Sequence, residues 1–487
     1  MTLKKSAKLL AFVLPLFIYF GCTQREEAEK RYYAFEKSGV TMGYSVSMIY
    51  PGDAESMKPK KIEVELVARL SLLGESLDIY ADETWQYDPV TDQVLHIDAQ
   101  MTMGTMKIPV TLKFDGSEMQ FMPSAGEPFT MDLEDNVFRA ESHLYAQLVQ
   151  DFSRGDLQKK HYRLLDYVRG KILEREFTLD REEEINLNGI EYDCFLFTMK
   201  DLTYGVNARL WIEREKGTMV MTHTADDTKI YLTDPGIKNR IQRADMNEQI
   251  FTSVDLVIKD IPAISYMKVR AKIRSVGEVI SPDNLTVPGQ TFTGTVDDNL
   301  IEGVFEVEHK RYRGQKAPPF PHDFSENEEL KTYLEPEWLI EANDPVLVKK
   351  AEELTGGAKD CWEASQRLAH WVGTEIKGAL PGGSARQTYD TRKGECGAHS
   401  RLFTAFCRGV GIPARMVMGG VYTELYNGTF GQHGWNEVYM GEAGWIPLDT
   451  TFQEFDFVDS GHIRLGFLTS FIPLEMEVLD YRVGTRD

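Results

Sequence analysis

The sequence predicts an α+β protein built from two unlike parts: a large antiparallel β-rich region over residues 31–310 and a mixed helix-and-strand domain over residues 344–487. Three observations carry that prediction. Apolar and polar residues alternate with a period of two through the first part. Helical spacing with capping residues opens the last part. Between them, the linker 311–343 holds Ala317-Pro318-Pro319-Phe320-Pro321, which can continue neither a sheet nor a helix.

Size and composition agree with this. At 487 residues the chain has room for about three domains. A content of 42% hydrophobic and 27% charged residues excludes both wholesale disorder and a polytopic membrane protein. The net charge of −22 repels phosphate backbones, so no nucleic-acid partner is expected. Five cysteines are too few for a disulfide framework, and each must be read from its own neighbourhood.

The N-terminus reads as an address. Lys4, Lys5 and Lys8 precede the apolar run from Leu9 to Phe20, which is shorter than the ~20 residues needed to span a bilayer. The run ends at Tyr19-Phe20-Gly21-Cys22 and is followed by polar residues. This segment resembles the bacterial lipobox. The resemblance implies a signal peptide over 1–21, lipidation of Cys22, and a polar tether over 22–30. It also implies a cell-envelope protein anchored to a membrane through its N-terminal lipid. The absence of aspartate at Thr23 points to the outer membrane in an organism that has one.

In the β-rich region, Ile62, Val64, Leu66, Ala68 and Leu70 alternate with polar residues. So do Leu95, Ile97, Ala99, Met101 and Met103, and then Ile108, Val110, Leu112 and Phe114. Each set reads as an antiparallel strand with one face on a core. Asn188-Gly189 is a two-residue hairpin signal, and Glu215-Lys216-Gly217 marks a second turn. Only Ala140 to Arg169 has helical spacing, through Leu144, Leu148 and Phe152. A half-barrel, lipocalin-like sheet partly closed around a helix is expected, with an apolar ligand as a candidate occupant and methionines as a forgiving lining.

The last part carries the chemistry. Asp344-Pro345 reads as an N-cap and first helical residue, with Gly356-Gly357 as the stop. Asp360 and Glu363 form a capping-box pattern for a second helix. A glycine-rich polar loop, 378–392, leads to Gly394-Glu395-Cys396-Gly397. Leu402, Phe403, Phe406, Cys407 and Val410 then recur at helical intervals, placing Cys396 at a helix N-terminus, where the dipole favours thiolate. Strand-like Gln432–Tyr439 carries His433 and Trp435 on one face. A turn at 441–444 returns the chain as Trp445–Asp449, so Asp449 is expected beside His433. A thiol, an imidazole and a carboxylate form a nucleophile–base–orienter set. His462 is expected to be structural, and Arg415 and Glu437 to form an ion pair.

Gly394-x-Cys396, Gly411-Ile412-Pro413-Ala414-Arg415, His433-x-Trp435-x-Glu437-Val438 and Trp445-x-Pro447-Leu448-Asp449-x-Thr451 together resemble the transglutaminase-like superfamily, whose core is related to papain-like cysteine peptidases. The resemblance implies a transglutaminase-like (papain-like) α+β domain with Cys396 as nucleophile, His433 as base and Asp449 as its partner. Gln432 and Tyr389 are candidate oxyanion donors, and Trp435 a candidate cleft residue. No cofactor is expected; a zinc site of Cys396, His399 and His433 would lack a fourth ligand. The implied activity is a lipid-anchored exported cysteine amidohydrolase or peptidase acting on peptide or protein substrates through a thioester, with transamidation less favoured. The alternative is a non-catalytic envelope binding or assembly lipoprotein, with a ligand-holding β domain and a scaffold C-terminal domain.

Overall fold

The computed structural model describes residues 28–104, 106–123, 128–467 and 470–484; the leader, Cys22 and most of the tether lie outside them. Among the described residues no helix is long and apolar enough to cross a membrane.

Alternating side chains and tight turns build one sheet of fifteen strands. From one edge it runs through Phe129–Asp132, Glu118–Met122, Met106–Asp115, Val94–Met103, Ile79–Tyr87, Lys60–Ala68, Val40–Tyr50 and Glu29–Lys37. It continues through Thr228–Thr233, Met219–Thr224, Asn207–Glu213, Ile190–Asp201, Lys171–Leu187, Lys159–Asp166 and Val137–Phe138. The final pairing is parallel; the others are antiparallel. Asn188 and Gly189 take positive φ, +53° and +83°, as a two-residue hairpin requires. In Met106–Asp115 buried and exposed residues alternate as expected. Leu95 departs from the expected inward set: a bulge between Gln86 and Tyr87 pairs Tyr87 with Val94, so Val94 is buried and Leu95 exposed.

The sheet curls into a half-barrel around the helix Glu141–Phe152, whose Leu144, Leu148 and Phe152 pack against Phe177, Phe197 and Leu210. The helical spacing expected as far as Arg169 ends at Phe152. Gly155 takes positive φ, and Lys159–Asp166 then buries Tyr162 and Leu164 as a strand. Across the opening, Trp85 meets Tyr167 edge-on at 5.0 Å, and Tyr167 Oη donates to Glu83 at 2.6 Å. A cavity of about 610 Å³ remains in the lumen, lined by Tyr33, Ile62, Trp85, Tyr145 and Arg175 among others. Among its charges Arg175 reaches Glu141 and Asp201, while Arg139 donates to the Val94 and Gly116 carbonyls.

Two further layers follow. A four-stranded sheet is ordered Gln290–Asp297, Leu300–Val307, Ile264–Val276 and Ser470–Val483. The last strand, read from sequence as part of the C-terminal domain, thus pairs with residues some two hundred positions earlier. A second sheet, Phe251–Ser253, Thr429–Tyr439, Ala414–Thr423 and His462–Gly466, has Trp445–Leu448 on the side of Thr429–Tyr439. Tyr422, Phe430, Ile463 and Phe471 share one core with Val269 and Phe305 of the four-stranded sheet. Against the second sheet pack the helices Pro345–Thr355, Cys361–Glu375 and Cys396–Gly409. The polar loop before Cys396 contains a short helix, Ala385–Thr391, which lacks an apolar stripe and opens on a Ser384 cap. Pro318 binds the start of the second helix, its carbonyl accepting from Cys361 N–H at 2.9 Å. Trp338 packs against the half-barrel core.

Candidate active site

The helix Cys396–Gly409 forms because its apolar stripe, Leu402, Phe403, Phe406 and Cys407, is wholly buried. It is stitched to the strand Thr429–Tyr439 by three hydrogen bonds. Ser400 Oγ donates to the Gly434 carbonyl (3.0 Å), and Asn436 Nδ2 donates to the Ser400 carbonyl (3.1 Å) and Thr404 Oγ1 (2.8 Å). Helix and strand therefore hold a fixed register, which sets the distance between Cys396 and His433. The strand's return, with Asn436 opposite Leu448, places Asp449 just beyond the pairing.

Cys396, His433 and Asp449 converge. His433 Nε2–H donates to Asp449 Oδ2 at 2.6 Å. The Cys396 side chain acts on the same ring, raising its pKa, and with Nε2 engaged by Asp449 the nitrogen left to face it is Nδ1. Cys396 is partly exposed, whereas His433 and Asp449 are buried. Thr451 and Phe452 N–H groups donate to Asp449 Oδ1 at 2.6 and 3.0 Å. Phe452 stacks on the His433 ring at 4.6 Å. Gly373 lets this segment sit close to the second helix, since a Cβ there would lie 2.7 Å from the Thr450 carbonyl oxygen.

Electrostatics follow from burial and pairing. Burial alone would depress the His433 imidazole, but the Asp449 carboxylate and the Cys396 sulfur lift it to about 9. Burial would raise Asp449; the His433 charge, with hydrogen bonds from both histidines, holds it far below the carboxylate range instead. His462, the second histidine, reaches Asp449 Oδ2 through Nε2 at 3.2 Å.

The other candidate residues are placed elsewhere. Gln432 Nε2 donates to the Phe471 carbonyl at 2.5 Å. Tyr389 stacks on Trp371 and packs against Phe406, ten residues along the helix from Cys396, or about 15 Å. Both side chains, considered as oxyanion donors, are thus engaged in these other contacts. Trp435 is 2% exposed, stacked parallel to His433 at 6.1 Å and edge-on to His462 at 5.2 Å, so it packs the site rather than lining a cleft. His399 turns its ring nitrogens to the carbonyls of Glu395 and Ile376, away from a Cys396/His433 zinc set. Cys194, Cys361 and Cys407 are free and buried. Arg415 and Glu437 do pair, at 2.6 Å, and Arg464 binds the second Glu437 oxygen at 2.9 Å.

Sequence reasoning missed Glu395, whose carboxylate caps the helix by accepting from Gly397 and Ala398 N–H and is held by Arg401 at 2.8 Å. The positive end of the dipole is therefore already answered, and His433 is the cation left to stabilise a thiolate. It also missed Phe452, Glu454 and Asp459; the only signal was the density of acidic residues after Asp449.

Residues 348–450 match the family model described as the transglutaminase-like superfamily. A protein-glutamine gamma-glutamyltransferase from Pseudomonas aeruginosa is 34% identical over 74 residues, which is 13% of this chain and 11% of that relative. The chain thus spans about a ninth of the length of the curated relative it matches. Among solved structures, a candidate cysteine protease from Cytophaga hutchinsonii aligns at TM-score 0.33 and 16% identity, covering 46% of this chain and 90% of that one. A β-barrel-like protein of a domain of unknown function from Brucella abortus aligns at TM-score 0.34 and 9% identity, covering 43% and 97%. The chain carries, over residues 348–450, a transglutaminase-like superfamily domain that contains Cys396, His433 and Asp449.

Proposed function

We propose that this protein is an envelope cysteine amidohydrolase or peptidase, lipid-anchored at Cys22, that acts on peptide or protein amides through a thioester. The observation that carries the reading is the buried His433–Asp449 pair with the partly exposed Cys396 thiol on the ring's other nitrogen. With His433 already protonated, Cys396 Sγ attacks as the thiolate of a Cys396–His433 ion pair and forms a C–S bond to the carbonyl carbon. The Cys396 N–H at the start of the helix faces the developing oxyanion. As the tetrahedral intermediate collapses, the C–N bond breaks and His433 gives its proton to the leaving amine. Water then attacks the thioester, giving its proton to His433; the C–S bond breaks, the carboxylic acid departs and the Cys396–His433 ion pair is restored. An amine in place of water would give a new amide, the less favoured outcome where water is abundant.

The test is labelling by chloroacetamide followed by peptide mapping. Cys396 is expected to react at least ~10-fold faster than the three buried thiols and to slow by a similar factor in His433→Ala. Equal, slow labelling of all four, unchanged in His433→Ala, would overturn the reading.

A second reading rests on the lumen cavity of about 610 Å³. That volume suits an apolar or amphiphilic small ligand, the function of an envelope binding or assembly lipoprotein. Mass spectrometry of lipids copurifying with the full chain tests it, and protein without stoichiometric small molecules would count against it.

A further inference from the structure

We propose that His462 is a positioning residue of this site: a second imidazolium, bound to the same Asp449 oxygen as His433, whose charge sets how tightly Asp449 holds the His433 proton. The inference rests on the reading of Cys396 and His433 as a catalytic pair.

Donor counting comes first. Asp449 accepts four hydrogen bonds, two N–H groups of Thr451 and Phe452 on Oδ1 and the two imidazoles on Oδ2, at 2.6 Å from His433 and 3.2 Å from His462. The far nitrogen of His462, Nδ1, faces the Asp459 carbonyl oxygen at 3.2 Å and the Asp459 carboxylate at 3.5 Å. Both ring nitrogens of His462 thus face acceptors, and a neutral imidazole has only one N–H to give. The ring satisfies both sides only when doubly protonated. His462 and Asp449 are fully buried and Asp459 nearly so, so the charges have no water to answer them.

The surroundings fit a cation. From the segment after Asp449, Glu454 and Asp459 face His462; from the neighbouring strand, His433 does, its ring centroid 5.7 Å away. On the remaining side lies His309, half-buried and pushed down to about 4 by desolvation and by the His462 charge, hence neutral. Burial opposes protonation of His462, yet the Asp459 and Asp449 carboxylates hold its pKa well above the ordinary imidazole value. Glu454 is shifted upward by burial and by Asp459, so it stays protonated and adds no third anion. Two imidazolium ions and two carboxylates balance.

A cation 5.7 Å from His433 opposes the His433 charge. Without it, Asp449 would hold the His433 proton more firmly, and His433 would release that proton less readily to a leaving amine. Held in place, His462 brings the base closer to the working range.

The experiment follows alkylation of Cys396 by iodoacetate across pH, read by peptide mapping. An anionic reagent is drawn by the imidazolium, so its rate falls as His433 loses its proton. In His462→Gln, which keeps a donor to Asp449 but not the charge, that alkaline fall should move up by about one pH unit or more. In His462→Gln/Asp459→Asn, which leaves no unpaired carboxylate from this pair, the shift should be upward but smaller. Coincidence of both variants with the wild type, while His433→Ala abolishes the fall, would overturn the role of His462 alone. A fall unchanged by His433→Ala would overturn the catalytic pair itself. Nuclear magnetic resonance of isotope-labelled histidine in the unmodified full chain is independent of how the variants fold. His462 is expected to be doubly protonated at neutral pH, and a neutral ring would refute the proposal.

Discussion

Replacing Asp449 by asparagine isolates the electrostatic heart of the site. The side chain keeps its shape, and an amide oxygen can still accept from His433 Nε2–H, but the charge is gone. The His433 imidazole stands at about 9 rather than its ordinary 6.5. At ~1.36 kcal/mol per pH unit, that gap is about 3.4 kcal/mol in favour of the charged ring. Burial works in the opposite direction, so Asp449 and Cys396 together supply more than this. Removing the carboxylate should therefore lower the His433 titration midpoint by about two pH units or more, to the ordinary value or below it. Near neutral pH the ring would change from almost fully protonated to mostly neutral. Isotope-labelled histidine followed by nuclear magnetic resonance reads this directly, with His433→Ala assigning the signal. A midpoint in Asp449→Asn within about half a pH unit of the wild type would refute the argument that this carboxylate holds the proton.

Further outcomes follow from the same geometry. Because the folded-state value of His433 is raised, its contribution to stability is fully present below about pH 6.5 and is lost as pH rises through about 9. Unfolding free energies of the wild type from urea titration should fall over that window, by up to about 3 kcal/mol from this group, and fall less in His433→Ala. Phe403→Ala empties a fully buried position on the helix that carries Cys396 and should cost about 3–5 kcal/mol in urea unfolding. Gly373→Ala sets a Cβ 2.7 Å from the Thr450 carbonyl oxygen and should displace the Asp449 segment. A stability loss of about 1–3 kcal/mol is expected, together with a lowered His433 midpoint.

Legibility followed the range of the interactions. The caps at Asp344 and Asp360 and the turn at Asn188-Gly189 were readable because their physics is contained in a few consecutive residues. Cys396, His433 and Asp449 were readable because a helix start and a short strand–turn–strand place them by local geometry. The pairing of Ser470–Val483 with Ile264–Val276 was not, since nothing in a strand's own alternation names a distant partner. The short helix Ala385–Thr391 was hidden by its lack of an apolar stripe. Gln432 and Tyr389 were plausible by proximity in sequence alone; strand alternation and the length of a helix put them on other contacts. His462 looked structural because its partner, Asp449, lies across a buried turn, while its own neighbours suggest an ordinary buried strand.

The nucleophilic role proposed for Cys396 can be tested without knowing the natural substrate. Mixing the full chain with p-nitrophenyl acetate should release a stoichiometric burst of nitrophenolate and leave an acetyl group on Cys396, found by peptide mapping, with no burst from Cys396→Ala. Acetyl groups scattered over lysines, or a burst that survives Cys396→Ala, would contradict the account.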